Sequence, residues 1–189
     1  LNPVGIQTIR SVIITTYGYF GSSTAIGCGR IVIGSDYADG VEAGSYPVGR
    51  VFIYDMDGNP VGVQTLSQAF NNDDDGERFG ASVAVGNGRI VVGAPECRVN
   101  SISDAGKVFI YDLNGNYIGI LTQTTMAAGN RFGSSVAVGC GRIAVSAPRT
   151  AIGGNNYQGE VELFDLERNH IKTIQGPFGA NSYFGGSVG

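Results

Sequence analysis

The chain has 189 residues, of which 31 are Gly, nine Phe, nine Tyr, one His and none Trp; 12 basic and 16 acidic side chains leave a net charge of −4. Gly stands at roughly twice its ~7 % average, and a 42 % apolar content is enough for a folded core and excludes disorder. The acidic balance argues against nucleic acid, whose binders need a basic face, and no apolar run approaches the ~18 residues of a membrane-spanning helix. The chain opens on Leu1 without a charged-then-apolar leader. Its three cysteines, Cys28, Cys97 and Cys140, lack the paired spacing of a zinc site and leave the compartment undecided.

In chain order, residues 1–9 read LNPVGIQTI and match GNPVGVQTL at 58–66. Residues 19–35, YFGSSTAIGCGRIVIGS, introduce a motif that returns as RFGASVAVGNGRIVVGAP at 78–95 and RFGSSVAVGCGRIAVSAP at 131–148. It begins again as YFGGSVG at 183–189, so its Phe recurs at 20, 79, 132 and 184, in steps of 59, 53 and 52. A second motif reads GRVFIYDMDGN at 49–59, GKVFIYDLNGN at 106–116 and GEVELFDLERN at 159–169, its first Gly recurring at steps of 57 and 53. Two motifs sharing one period define an internal repeat.

Each repeat resolves into four short strands. In the second, strand A is Ser82 to Val85 and a Gly-Asn-Gly turn at 86–88 leads to strand B, Arg89 to Val92. Asn-Gly suits such a turn because both central residues accept positive φ. Strand C is Val108 to Tyr111, and Asn114-Gly115 turns it into strand D, Tyr117 to Thr122. The C strands are apolar on both alternating faces, which an antiparallel sheet shows only when sheets stack on both sides of it. No segment carries helical periodicity. The expected fold is all-β, with each repeat a four-stranded antiparallel blade of a β-propeller. One domain, 1–189, then holds full blades at 19–66, 78–122 and 131–174, with partial strands at 1–9 and 183–189.

The paired signatures, as in Phe79-Gly80 followed by Gly93-Ala94-Pro95, resemble FG-GAP repeats, which build the propellers of integrin α chains and of many bacterial and phage surface proteins. The resemblance covers nearly the whole chain and is nearest to the compact bacterial and marine-phage form. Gly34-Ser35-Asp36 departs from Gly-Ala-Pro in the first copy, and Ser146 replaces its Gly in the third. The resemblance implies an extracellular or virion-surface setting and an adhesion-like role. It also implies a calcium loop between strands A and B. Here that loop is only Gly27-Cys28-Gly29, Gly86-Asn87-Gly88 or Gly139-Cys140-Gly141, without carboxylates, so no metal and no cofactor is expected.

Other candidates divide into repeated and unique positions. Gly21, Gly80 and Gly133, Arg30, Arg89 and Arg142, and Asp55, Asp112 and Asp165 recur in every unit and read as structural. The Asp is expected to bond backbone at the C–D hairpin, and the Arg to form an ion pair or a stack between blades. Tyr37, Tyr46 and Tyr157 lie in the variable loops after strand B and are the candidate ligand contacts. Two acidic loops, Asp36/Asp39/Glu42 and Asp73/Asp74/Asp75/Glu77, read as solvated turns, with a divalent ion as the alternative. Cys28 and Cys140 share one position two repeats apart and are expected to stay free thiols. Gly185-Gly186-Ser187-Val188-Gly189 fits the G-x-S-x-G pattern, but it lies in the fourth Phe-Gly strand and the only His, His170, lies in a C–D turn.

These readings point to a non-catalytic recognition or structural module that binds protein at a surface, with a glycan-binding lectin as the alternative. An enzyme would have to rest on Asp, Arg or Tyr alone. Three blades are too few for a closed ring, so the chain is expected either to be part of a longer protein or to self-associate as a homodimer.

Overall fold

The computed structural model describes residues 18–37, 49–65 and 78–189, and all regular structure among them is β. The described strands form three antiparallel sheets of four. Sheet I holds β1 (Ser23–Gly27), β2 (Arg30–Ser35), β3 (Arg50–Tyr54) and β4 (Pro60–Thr65). Sheet II holds β5 (Ser82–Gly86), β6 (Arg89–Ala94), β7 (Lys107–Tyr111) and β8 (Tyr117–Leu121). Sheet III holds β9 (Val136–Gly139), β10 (Arg142–Ala147), β11 (Glu160–Asp165) and β12 (His170–Gln175). Within each sheet the strands lie in sequence order, so every repeat is a meander.

Turn chemistry sets the first hairpin of each sheet. Cys28-Gly29, Asn87-Gly88 and Cys140-Gly141 take φ of 49° and 73°, 49° and 73°, and 48° and 72°. Two central residues at positive φ match the right-handed twist of the flanking strands. The register closes as Gly27↔Arg30, Gly86↔Arg89 and Gly139↔Arg142. The third hairpin of each sheet has a register shift at one equivalent point, between Ile53 and Tyr54, Ile110 and Tyr111, and Leu163 and Phe164. A loop residue at positive φ follows each shift: Gly58, Gly115 and, in the third sheet, Arg168.

The sheets stack face to face, because the third strands of sheets I and II are apolar on both sides. All five residues of β3 are buried, and Val108, Phe109 and Ile110 of β7 are fully so. Val32, Val51 and Ile53 of sheet I share one core with Val83, Ile90, Val92 and Phe109 of sheet II. Val91, Val108, Ile110 and Leu121 share a second core with Val136, Ile143, Val145 and Phe164 of sheet III. The Phe of the second and third Phe-Gly motifs plugs the seam: Phe79 and Phe132 are fully buried, and Phe79 meets Phe109 edge-to-face at 5.4 Å.

Glycine sets how closely the sheets approach. A Cβ on Gly93 would strike the carbonyl oxygen of Gly133, and one on Gly34 that of Gly80. The first Gly of the second motif does the same one step away. Gly49 bridges to Phe79 in parallel register, and a Cβ on Gly49, Gly106 or Gly159 would collide with Phe79, Phe132 or Phe184 backbone. The two motifs share a period because each repeat's glycines seat the next repeat's Phe-Gly turn. Close backbone approach between sheets runs through β1 with β5, β2 with β5, β5 with β9 and β6 with β9, the first two strands of each sheet.

Residues 183–189 differ from the strand expected there. They form a turn, with Gly186 N–H donating to Tyr183 O, and no strand pairing. A first strand takes its ladder bonds from the second strand of its own sheet, and no such segment lies within 176–189. Phe184 still packs over Gly159, and Gly185 over Val161, as an incoming repeat would. Residues 1–9 lie outside the described residues.

Candidate functional site

A meander places its connections on two opposite ends. The A–B and C–D hairpins share one end, and the B–C loops share the other with the connections into each Phe-Gly motif. The repeated and the unique candidates therefore separate.

On the hairpin end, Asp55, Asp112 and Asp165 each clamp their own C–D loop. Their carboxylates accept from the backbone N–H of Asn59, Asn116 and Asn169 at 2.8, 2.9 and 2.7 Å. They also accept from the Nδ2 of the same residues at 3.0, 2.7 and 2.8 Å. The Asn amide side chain, then its backbone N–H, holds each carboxyl below the usual carboxylate range. Arg30, Arg89 and Arg142 each bond the carbonyl of the preceding Gly. Arg30 reaches further: its Nε donates to Leu113 O at 2.7 Å and its Nη2 to Asn114 Oδ1 at 3.2 Å, tying sheet I to the hairpin of sheet II. Cys28 and Cys140 are exposed free thiols on this end, and Cys97 is a buried one.

On the loop end, a ladder of charges and aromatics follows the sheet junctions. Arg78 donates to Asp36 Oδ2 from Nε at 3.0 Å and from Nη2 at 2.5 Å. Its Nη1 lies 3.7 Å from Glu96, which pairs in turn with Arg131 at 3.0 Å. Tyr37 meets Tyr19 edge-to-face at 5.1 Å and lies beneath the Arg78 guanidinium at 5.6 Å. At the far junction Tyr157 stacks on Tyr183 at 5.6 Å with an interplanar angle of 9°, and Arg149 sits 6.0 Å over the Tyr157 ring. Tyr46, and the acidic residues Asp39, Glu42, Asp73, Asp74, Asp75 and Glu77, lie outside the described residues. Asp36, read in sequence as part of an acidic turn, is a buried ion-pair partner.

Tyr37 and Tyr157 are thus on one end of the stack, each beside a second Tyr and an Arg that sequence reasoning did not single out. Tyr19, Arg78, Arg131 and Tyr183 all precede a Phe-Gly, and all take positive φ, 41°, 50°, 58° and 49°. The tight turn closed by Ser22, Ala81, Ser134 and Gly186 N–H on their carbonyls holds them there. Comparing the columns just outside the motifs, Tyr-Arg-Arg-Tyr before Phe-Gly and Tyr37-Glu96-Arg149 after the second strand, is the signal that finds them.

Around Tyr19 and Tyr37 the loop end is concave. A cleft of about 450 Å³ is lined by Tyr19, Phe20, Ser22, Asp36, Tyr37 and Arg78, with Gly21 and Ala81. A second polar cluster is closed off between sheets II and III. Glu162, fully buried where β3 and β7 carry Phe, accepts from Thr124 Oγ1 at 2.6 Å and Thr124 N–H at 3.0 Å. Glu160 accepts from Gln123 Nε2 at 2.6 Å. Burial raises the Glu162 carboxyl, and the nearby Glu160 charge adds to this against the Thr124 bonds.

Among the described residues no group of three or more His, Cys, Asp or Glu is arranged to hold a metal, and no helix is long and apolar enough to cross a membrane. His170 opens β12 and bonds Thr173 Oγ1 at 3.0 Å, far in sequence from Ser187. The cleft presents aromatic faces and fixed polar groups. No family model matches the chain, and no curated protein matches it significantly.

Proposed function

We propose that the chain is a β-propeller segment of the FG-GAP type that serves as a non-catalytic recognition module, its loop end the binding surface. The observation that carries the propeller reading is the pattern of approach between sheets. Backbones come close through the first two strands of each sheet, while the outer C–D side of sheet II is reached by long side chains: Arg30, from the A–B hairpin of sheet I, to Leu113, and Arg168 lying against Gly119. Strands that converge at one edge and diverge at the other give blades that fan around an axis. Fold alone does not supply function. The functional half of the reading rests on the exposed Tyr–Arg clusters of the loop end, a composition favoured at recognition surfaces. Protein at a surface is the leading partner class. The concave Tyr19–Tyr37 cleft favours a glycan as the second reading.

A further sheet of the same kind fits over sheet III, as in a homodimer. Leu121 is 3 % exposed beneath sheet III, whereas Ile174, in the same register position, is 39 % exposed. The test of the recognition reading is binding of the purified chain to arrays of immobilised glycans and cell-surface proteins. Binding that Tyr157→Ser/Tyr183→Ser weakens supports it. Binding lost instead in the hairpin-end variant Asn114→Ala/Glu167→Ala, or turnover of any immobilised ligand, contradicts it.

A further inference from the structure

We propose that the cleft between Tyr19, Asp36, Tyr37 and Arg78 binds a neutral pyranose unit of a glycan; this deepens the recognition reading above and rests on it. Its volume of about 450 Å³ is room for a single sugar ring, in a depression largely open to solvent. Tyr19 is 65 % exposed, yet its ring is held edge-to-face against Tyr37, so an aromatic face stands open to solvent in a fixed orientation. Rings of this kind offer an apolar body with a polar tip. A pyranose is complementary to that, with one face of C–H groups and a rim of hydroxyls.

Beside the ring lies an acceptor that is already ordered. Asp36 is 3 % exposed, and both Arg78 bonds go to one of its oxygens, Oδ2. Its backbone N–H is held by Ser22 Oγ at 3.3 Å. A carboxylate fixed in this way accepts a sugar hydroxyl in a charge-assisted bond without losing side-chain freedom on binding.

Charge then selects the ligand. The Arg78 guanidinium is paired with Asp36 and lies near Glu96, so it offers no surplus positive charge to an anion. Asp36 and Glu96 are matched by Arg78 and Arg131, so the cluster carries no net charge to draw a sialylated or sulfated unit. The same guanidinium already occupies the Tyr37 ring face that would otherwise draw a cationic ligand. What fits is uncharged, flat on one side and rich in hydroxyls.

The experiment is saturation-transfer NMR on the whole chain with the methyl glycosides of glucose, galactose, mannose and N-acetylglucosamine. N-acetylneuraminic acid and galactose 6-sulfate serve as charged counterparts. At least one neutral glycoside should bind, and more tightly than either charged sugar. Tyr19→Ala should weaken it about tenfold or more, a loss of ~1.4 kcal/mol, while Tyr117→Ala, at the opposite, hairpin end, leaves it unchanged. Both substitutions are at exposed rings, and thermal melts verify that each variant is folded. No binding by any neutral glycoside, tighter binding by a charged one, or indifference to Tyr19→Ala overturns the proposal. The wider recognition reading fails on a different signal in the same tubes, release of methanol from a glycoside.

Discussion

The Ser82 hydroxyl donates a 2.8 Å hydrogen bond to the carbonyl oxygen of Gly133, in the next repeat. Ser23 makes the equivalent bond to Gly80 at 2.7 Å. The same oxygen is where a Cβ on Gly93 would collide. One carbonyl thus explains two columns of the repeat, a Ser that bonds it and a Gly that makes room for it. Gly93→Ala should force sheets II and III apart and break the Ser82 bond. The expected loss is about 2–4 kcal/mol, combining overpacking with a lost hydrogen bond. Gly88→Ala meets nothing within 4 Å and should lose only about 1–2 kcal/mol, from its positive φ. Urea melts compare the two; a Gly88 variant at least as damaged as the Gly93 variant contradicts the close approach.

The hairpin clamps predict a loss of stability in acid. The carboxyls of Asp55, Asp112 and Asp165 are all held below their ordinary value of 3.8 by bonds made only in the folded state. Their stabilisation is complete above 3.8 and drains as pH falls through the lower folded values. Asp112→Ala should therefore lower the melting temperature at pH 7 and flatten its decline below pH 4. Parallel melting curves for variant and parent across pH 2–5 would show that the clamp is not linked to protonation.

Glu162 has the opposite sign. Its folded carboxyl is raised above 4.5, chiefly by burial, so the folded chain holds that proton more strongly than the unfolded one. Stability from this group is greatest below 4.5 and declines as pH rises through the folded value. Glu162→Gln stays neutral throughout and keeps an oxygen for Thr124. The difference in melting temperature, variant minus parent, should become more positive between pH 4 and pH 7. A difference that shrinks over that interval contradicts this account.

Cys28 and Cys140 take φ near 49° in turns where the second repeat carries Asn87. Asn tolerates this region far better than Cys. The Asn87 side chain also accepts from Gly141 N–H at 3.4 Å. Cys28→Asn should stabilise the chain by roughly 0.5–2 kcal/mol, in the range of turn and surface optimisation, and Cys140→Asn by a similar amount. A melt showing either variant less stable than the parent would mean that the thiol contributes something the turn geometry does not.

Sheet order and hairpin turns were legible because Asn87-Gly88, Asn114-Gly115 and the apolar strands between them are local signals. Val92 was read as the end of a strand that continues to Ala94, since Gly93 looks like a breaker until its neighbour Gly133 is known. Asp36 with Arg78 was not legible: 42 residues separate the pair, and Arg at positive φ follows no local preference. Glu162 occupies a column that asks for Phe, and its partner Thr124 comes from the connection after β8. The 183–189 segment carries the Phe-Gly motif intact, but strand formation depends on a second strand to pair with.

The central claim is that the three sheets fan out as blades and do not stack in parallel. Electron–electron double resonance between spin labels reads this directly, using the exposed Cys28 and Cys140 at the inner hairpins of sheets I and III. A second pair at the outer hairpins comes from Asp57→Cys and Glu167→Cys in a Cys28→Asn/Cys140→Asn background. Blades that fan require the outer distance to exceed the inner one clearly. Equal distances, as for parallel sheets each about 10 Å from the next, would contradict the propeller reading.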